Sequence, residues 1–240
     1  MTNIWKNRCQ IAPSLIYFDM CDLARQVRQV EAAGVEVLHV DLIDGHFSPS
    51  LPLGVETVKQ LRKVSNLKFD VHLMVENPEW LVAELLDIGV NQLLFHSETA
   101  PHVNRLLGMI RRRGVRAGVA LKPATALSEL DCILEECDAV LLMLTNPGFS
   151  LTNSETQAAY ADRKIRALRA MIDGRGLETI IEIDGRVTRQ NIENYGCGIV
   201  NVFVAGSACF SRENMVSDLS SLVGAARSLN SAACAAGGAR

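Results

Sequence analysis

Residues 22–41 read DLARQVRQVEAAGVEVLHVD. Leu23, Val27 and Val30 fall on one face of a helix, and charged and amide side chains cover the rest. Gly34 ends that pattern, and Val35–Asp41 then reads as a short buried strand. A helix that hands over directly to a strand is half of a β–α–β crossover, the connection parallel sheets require.

The same alternation extends in both directions. Further strands are expected at Gln10–Leu15, Lys68–Met74, Gln92–His96, Arg116–Leu121, Ala139–Leu144, Thr179–Asp184 and Val200–Ala205. Helices are expected at Asp22–Ala33, Val55–Val64, Pro78–Ile88, Ala100–Arg113, Leu127–Glu136, Ala158–Asp173 and Thr188–Tyr195. Gly89 and Gly114, like Gly34, stand between a helix and the next strand, and Asn77-Pro78 has the form of a cap followed by proline. Eight strands with helical crossovers predict an α/β fold, a single eight-stranded parallel (β/α)₈ TIM barrel. The chain has 240 residues, close to the roughly 250 of one such barrel. The barrel is expected to occupy residues 1–227, followed by a disordered Ala/Gly/Ser-rich tail over residues 228–240.

Composition removes several function classes. The net charge is −3 and no basic run exceeds Arg111–Arg113, so no electrostatic footprint for nucleic acid is present. No stretch approaches the roughly 20 apolar residues of a membrane span, and Met1–Gln10 lacks the apolar run of a signal peptide. The seven cysteines contain no Cys-x-x-Cys pair and read as reduced thiols. A cytoplasmic protein without membrane or nucleic-acid partners is expected.

Active sites of barrels lie at the carboxyl ends of the strands. There the second strand offers His39 and Asp41, two apart and therefore on one side. The third offers His72 and the seventh Asp184. Two imidazoles and two carboxylates at one mouth suit a divalent metal: zinc, iron, manganese or cobalt. His96 and His46 read either as supports for that site or as structural groups, and His102 as a surface residue. Glycine-bearing loops follow the last three strands: Asn146–Ser150, Asp184–Arg186 and Gly206-Ser207. Their backbone N–H groups suit a phosphate.

Taken together these segments resemble the ribulose-phosphate 3-epimerase family. The resemblance is carried by Ile11–Ser14, His39–Phe47, Asp70–Met74, Leu141–Met143 with Asn146–Phe149, Glu182–Gly185 and Val204–Ser207, and spans roughly residues 9 to 226. It implies a cofactor, one divalent ion with zinc favoured, held by His39, Asp41, His72 and Asp184. It implies Asp41 and Asp184 as the acid–base pair that inverts the carbon beside the ketone of a ketose phosphate. Ser14, His72, Met74 and Met143 would line the substrate site, and Gly148, Phe149, Ser150, Gly185, Arg186, Gly206 and Ser207 would hold its phosphate end. Barrels of this family often self-associate, so a homo-oligomer is expected.

Three departures bear on the substrate. Ile43 stands where the family has methionine, Ser150-Leu151-Thr152 replaces a Gly-Gly-Gln run, and Arg186 replaces a glycine. The substrate is therefore left open between ribulose 5-phosphate and another ketose phosphate. Phe95–Thr99 resembles the allulose 6-phosphate branch. Two other readings compete. Decarboxylases of the orotidine-phosphate type carry an Asp-x-Lys-x-x-Asp run, and residues 39–44 contain no lysine. A non-catalytic sugar-phosphate-binding homologue is compatible with the altered loops.

Overall fold

The computed structural model describes Trp5, residues 9–148 and residues 155–237, the last six as backbone only. Eight strands alternate with helices. They are β1 (Gln10–Pro13), β2 (Val37–Ile43), β3 (Lys68–Met74), β4 (Gln92–His96), β5 (Arg116–Leu121), β6 (Ala139–Met143), β7 (Ile180–Asp184) and β8 (Val202–Ala205). The helices are α1 (Leu23–Ala32), α2 (Val55–Arg62), α3 (Pro78–Ile88), α4 (Val103–Arg112), α5 (Ala161–Gly174), α6 (Arg189–Tyr195) and α7 (Met215–Gly237).

All pairings are parallel, and the spatial order β1-β8-β7-β6-β5-β4-β3-β2 makes a nearly closed TIM barrel. The remaining seam, between β1 and β2, is closed by one bridge, Ser14 to His39. Every residue of β2 and β6 is buried, because helices cover one face and the barrel interior takes the other. The larger apolar cluster lies between sheet and helices, with Phe69, Leu85, Leu107 and Ile165 fully enclosed. A second fills the barrel with smaller side chains, among them Ala12, Val37, Leu94, Ala120 and Ala139, and Trp5 packs against it. Between its neighbours on β4 and β6, Gly118 lies so close to Leu94 and Ala139 that a methyl group would collide with both.

The expected helix ends are present at Gly34, Gly89 and Gly114, which adopt φ of 85°, 86° and 72°. Pro78 begins α3 as expected, although the Asn77 side chain makes no capping bond. Two expectations need correction. Leu127–Glu136 is not an α-helix but two 3-10 turns, Leu127–Leu130 and Leu134–Glu136. Arg175 explains part of this, since it binds the Asp131 carbonyl and the Asp131 and Glu135 carboxylates from outside. The last helix also continues past residue 227, so the backbone of 228–237 is helical where a disordered tail was expected. The alanine content behind that expectation is also what favours a helix.

Candidate metal centre and active site

β2 and β3 set the register of the site. His39 pairs with Asp70 and Asp41 with His72, so period-two alternation turns all four into the barrel. On the far side Met143 of β6 stands beside Asp184 of β7. The result brings together the four residues expected as ligands. One nitrogen or oxygen each from His39, Asp41, His72 and Asp184 lies within 4.8 Å of the others. His39 Nε2 is 3.2 Å and His72 Nδ1 3.3 Å from Asp41 Oδ1, and His72 Nδ1 is 3.9 Å from Asp184 Oδ2.

Burial and mutual charge divide the two aspartates. Burial alone pushes Asp41 up, but the His39 and His72 imidazoles outweigh it and hold its carboxyl well below the usual range. Asp184 is pushed up to about 6, first by burial and then by the charge of Asp41. One carboxyl is thus held ionised while its neighbour keeps a proton more readily, the unequal pair acid–base work requires.

Neighbouring residues orient the clustered side chains. Ser14 Oγ donates to Asp41 Oδ2 at 2.5 Å. His39 Nδ1 lies 2.8 Å from Asp70 Oδ2 and 3.2 Å from Glu182 Oε1, which leaves its Nε2 for the centre. Gln92 Nε2 bridges Asp70 and Glu182 at 2.9 and 3.1 Å, and Arg116 in turn donates to Gln92 Oε1. Burial and the nearby Asp70 charge raise Glu182 well above the usual carboxylate range. A proton on Glu182 lets the two buried carboxyls share one negative charge. Asp70 and Glu182, two residues before His72 and Asp184, were not singled out in the sequence, although the same two-residue period turns them inward. Gln92, four residues before His96 on β4, and its β5 neighbour Arg116 share that period and were likewise passed over.

The small cavity beside this cluster is lined by residues that include Ser14, Tyr17, Asp41, Met74, Met143 and Asp184, with Ile43 and Gly148 also at its wall. Met74 and Met143 face this cavity from β3 and β6. Gly185 donates from its N to Asp184 Oδ1 at 2.6 Å and adopts φ 102°. A methyl group there would lie 2.5 Å from Thr145 Oγ1. Gly206 is covered by the Tyr17 ring, and Gly148 lies directly against Ser48. Arg186 is half-buried at φ 52°, a left-handed backbone that glycine adopts more readily. Ser207 is exposed at the end of β8. Phe149 and Ser150 fall outside the described residues. His46 and His102 are exposed and contribute nothing to the cluster, whereas His96 is fully buried behind His72. A larger cleft, lined by Cys9, Gln10, Gly34 and Asn230, sits at the amino ends of the strands, away from this chemistry.

Comparison with known proteins gives a consistent answer. Residues 10–210 match the model of the Ribulose-phosphate 3 epimerase family. The ribulose-phosphate 3-epimerase of Bacillus subtilis is 32% identical over 216 residues, covering 90% of this chain and 98% of that protein. That of Treponema pallidum is 38% identical over 201 residues, 84% of this chain and 91% of that one. That of Escherichia coli K12 is 36% identical over 203 residues, 84% and 89%. Among solved structures, KGPDC from Streptococcus mutans superposes with TM-score 0.63 over 91% of this chain and 99% of that one, at 9% identity. The tryptophan synthase A-subunit of Pyrococcus furiosus gives TM-score 0.64 over 91% and 98%, at 14%. These two likenesses concern the barrel alone. Motif order, site geometry and identity over most of the chain agree: the chain belongs to the ribulose-phosphate 3-epimerase family, isomerases of the epimerase class.

Proposed function

We propose that the protein is a divalent-metal-dependent epimerase that inverts the carbon beside the ketone of a ketose phosphate, of the ribulose 5-phosphate/xylulose 5-phosphate type. The observation that carries this reading is the pairing of two unequally protonating carboxyls, Asp41 and Asp184, with two imidazoles in one cluster. His39, Asp41, His72 and Asp184 would hold the ion, and their nitrogen and oxygen donors fit zinc first, with iron, manganese and cobalt as alternatives. When bound, the ion supplies Lewis-acid stabilisation of negative charge on the substrate's ketone oxygen. Asp41, held ionised, would remove the proton beside the ketone. Asp184, protonated up to about 6, would return one from the opposite face. Ser14 fixes the second oxygen of Asp41, and His72 would also touch the substrate. Ile43, Met74 and Met143 form an apolar wall that limits water.

The phosphate end would be held by Gly148, Phe149, Ser150, Gly185, Gly206 and Ser207, with Arg186 supplying a charged fork. Because Ile43 and Arg186 depart from the family's residues, the substrate is best found by comparison. Metal-replete protein is incubated in D₂O with ribulose 5-phosphate, allulose 6-phosphate and a tetrulose phosphate. Deuterium at the carbon beside the ketone, together with the epimer, is the expected NMR result for one of them. Exchange into none of them, with metal bound, overturns the epimerase reading in favour of a binding protein.

Two further parts of the reading concern the setting. The described cysteines are free thiols, which supports a reducing, cytoplasmic location, and no helix of the described residues is long and apolar enough to cross a membrane. Met20 and Val64 are exposed at a groove beside α1 and α2, which supports self-association. Light scattering that returns a monomer mass overturns that part.

A further inference from the structure

Behind the metal cluster a chain of side chains leads outward from His72. The Nδ1 of His72 faces Asp41 and Asp184, and its Nε2 lies 3.0 Å from the Nε2 of His96. The Nδ1 of His96 lies 3.0 Å from Glu98 Oε2. The other carboxylate oxygen, Oε1, accepts the Lys122 backbone N–H at 2.8 Å and the Thr125 hydroxyl. Phe47 lies against the His96 ring with centroids 4.6 Å apart and holds it in place. Both imidazoles are fully buried.

The proton count along this chain has one solution. Two nitrogens 3.0 Å apart share one proton, because two N–H groups cannot face each other. Glu98 takes two donors on Oε1 and accepts a third from His96 on Oε2, which puts the His96 proton on Nδ1. The Nε2 of His96 is then a bare acceptor, and His72 must donate to it. Nδ1, which faces the carboxylates of the centre and lies 3.3 Å from Asp41 Oδ1, is then the nitrogen left to meet a metal. We propose that Glu98, acting through His96, is a positioning residue that fixes His72 with its proton on Nε2 and its bare Nδ1 aimed at the metal. The bare Nδ1 and its metal rest on the function proposed above, while the proton on Nε2 stands on the hydrogen bonds alone.

The test is an isosteric change whose consequence differs in sign from simple loss of a contact. In Glu98→Gln the amide oxygen satisfies Lys122 and Thr125, so the NH₂ group faces His96 Nδ1. His96 must then accept there and carry its proton on Nε2. His72 in turn is forced to carry its own proton on Nδ1, where it blocks a metal. Outer partners of this kind are worth about 10–100-fold in metal affinity. Zinc binding by competition with a chelating dye is therefore expected to weaken 10–100-fold in Glu98→Gln. ¹⁵N NMR of the metal-free protein should show the proton between the two rings move from His72 Nε2 to His96 Nε2. In a His96→Ala background the Glu98→Gln change should lose its effect on zinc affinity.

An unchanged dissociation constant together with an unmoved His72 proton overturns the inference. So does an equal loss with and without His96, which would mean that Glu98 acts by another route. Absence of zinc binding by the unaltered protein sinks the proposed metal centre instead. The NMR comparison in metal-free protein then still decides where the His72 proton lies.

Discussion

At the scale of single residues, Asp41 and Asp184 carry the strongest expectation. General acid–base help is worth about 10²–10⁴-fold, so Asp184→Asn should lose that much turnover even at saturating metal. Retained deuterium exchange at near the original rate would sink the two-aspartate mechanism. Arg186 offers a quieter test. Its φ of 52° costs a non-glycine residue about 1–2 kcal/mol, and glycine returns about 0.5–1 kcal/mol of that through its freedom when unfolded. Arg186→Gly should therefore leave the melting temperature unchanged or slightly higher. If the guanidinium reads phosphate, KM for a phosphorylated substrate should rise by about tenfold or more, the loss of one charge-assisted hydrogen bond. An unchanged KM assigns the arginine no part in phosphate recognition.

The clustering of these four side chains could be read from the sequence because His39-x-Asp41 and the ends of the third and seventh strands obey the two-residue period of a strand. The role of His96 could not, because it depends on a contact with His72 across 24 residues of chain.

At the scale of elements, β3, β4 and β5 begin and end where their residue patterns predict, and the other strands shift by one or two residues. Alternation of apolar runs with helical faces was sufficient for that. It failed for the connection between β5 and β6, where Leu127, Leu130 and Leu134 have helical spacing but the chain turns as 3-10. Contacts from Arg175, just past α5 and distant in sequence, contribute to this outcome.

α5 also steadies the loop that follows β5. Lys164 donates to the carbonyls of Lys122 and Pro123 at 2.7 and 3.0 Å. Burial lowers its pKa from 10.5 to about 8. Between those values the unfolded chain binds more protons than the folded one, so this group makes stability rise with pH. Urea titrations between about pH 8 and 10.5 should show a smaller rise in Lys164→Met than in the unaltered protein. Parallel curves would show that the lysine is not strained by its burial. The same variant should raise KM or weaken metal binding only modestly, since Lys122 reaches the centre through Glu98 and His96.

At the scale of the whole molecule, the barrel has a weakest line. Seven neighbouring strand pairs carry ladders, while β1 and β2 meet through the single Ser14–His39 bridge. The Ser14 hydroxyl adds a second tie across the same seam by donating to Asp41. His39 and Asp41 also belong to the ligand cluster, with His72 on β3 and Asp184 on β7. A metal there would lock β2 to β3 and to the opposite wall, and would order the partners of Ser14 at the seam. Anything that binds only the folded state at a hundredfold excess over its Kd adds about 2.7 kcal/mol. For a domain of this size that is roughly 5–10 °C in melting temperature, at about 2–4 °C per kcal/mol. Stripping with a chelator should lower the melting temperature by that amount, and zinc should restore it. His72→Ala should melt at the same temperature with and without zinc. Hydrogen exchange separates global from local effects: amides of β1 and β2 should gain more protection from metal than those of β4 and β5. A melting temperature indifferent to the chelator would remove the metal from this centre. A shift without added protection at the seam would mean that the ion stabilises the barrel wall but does not close it.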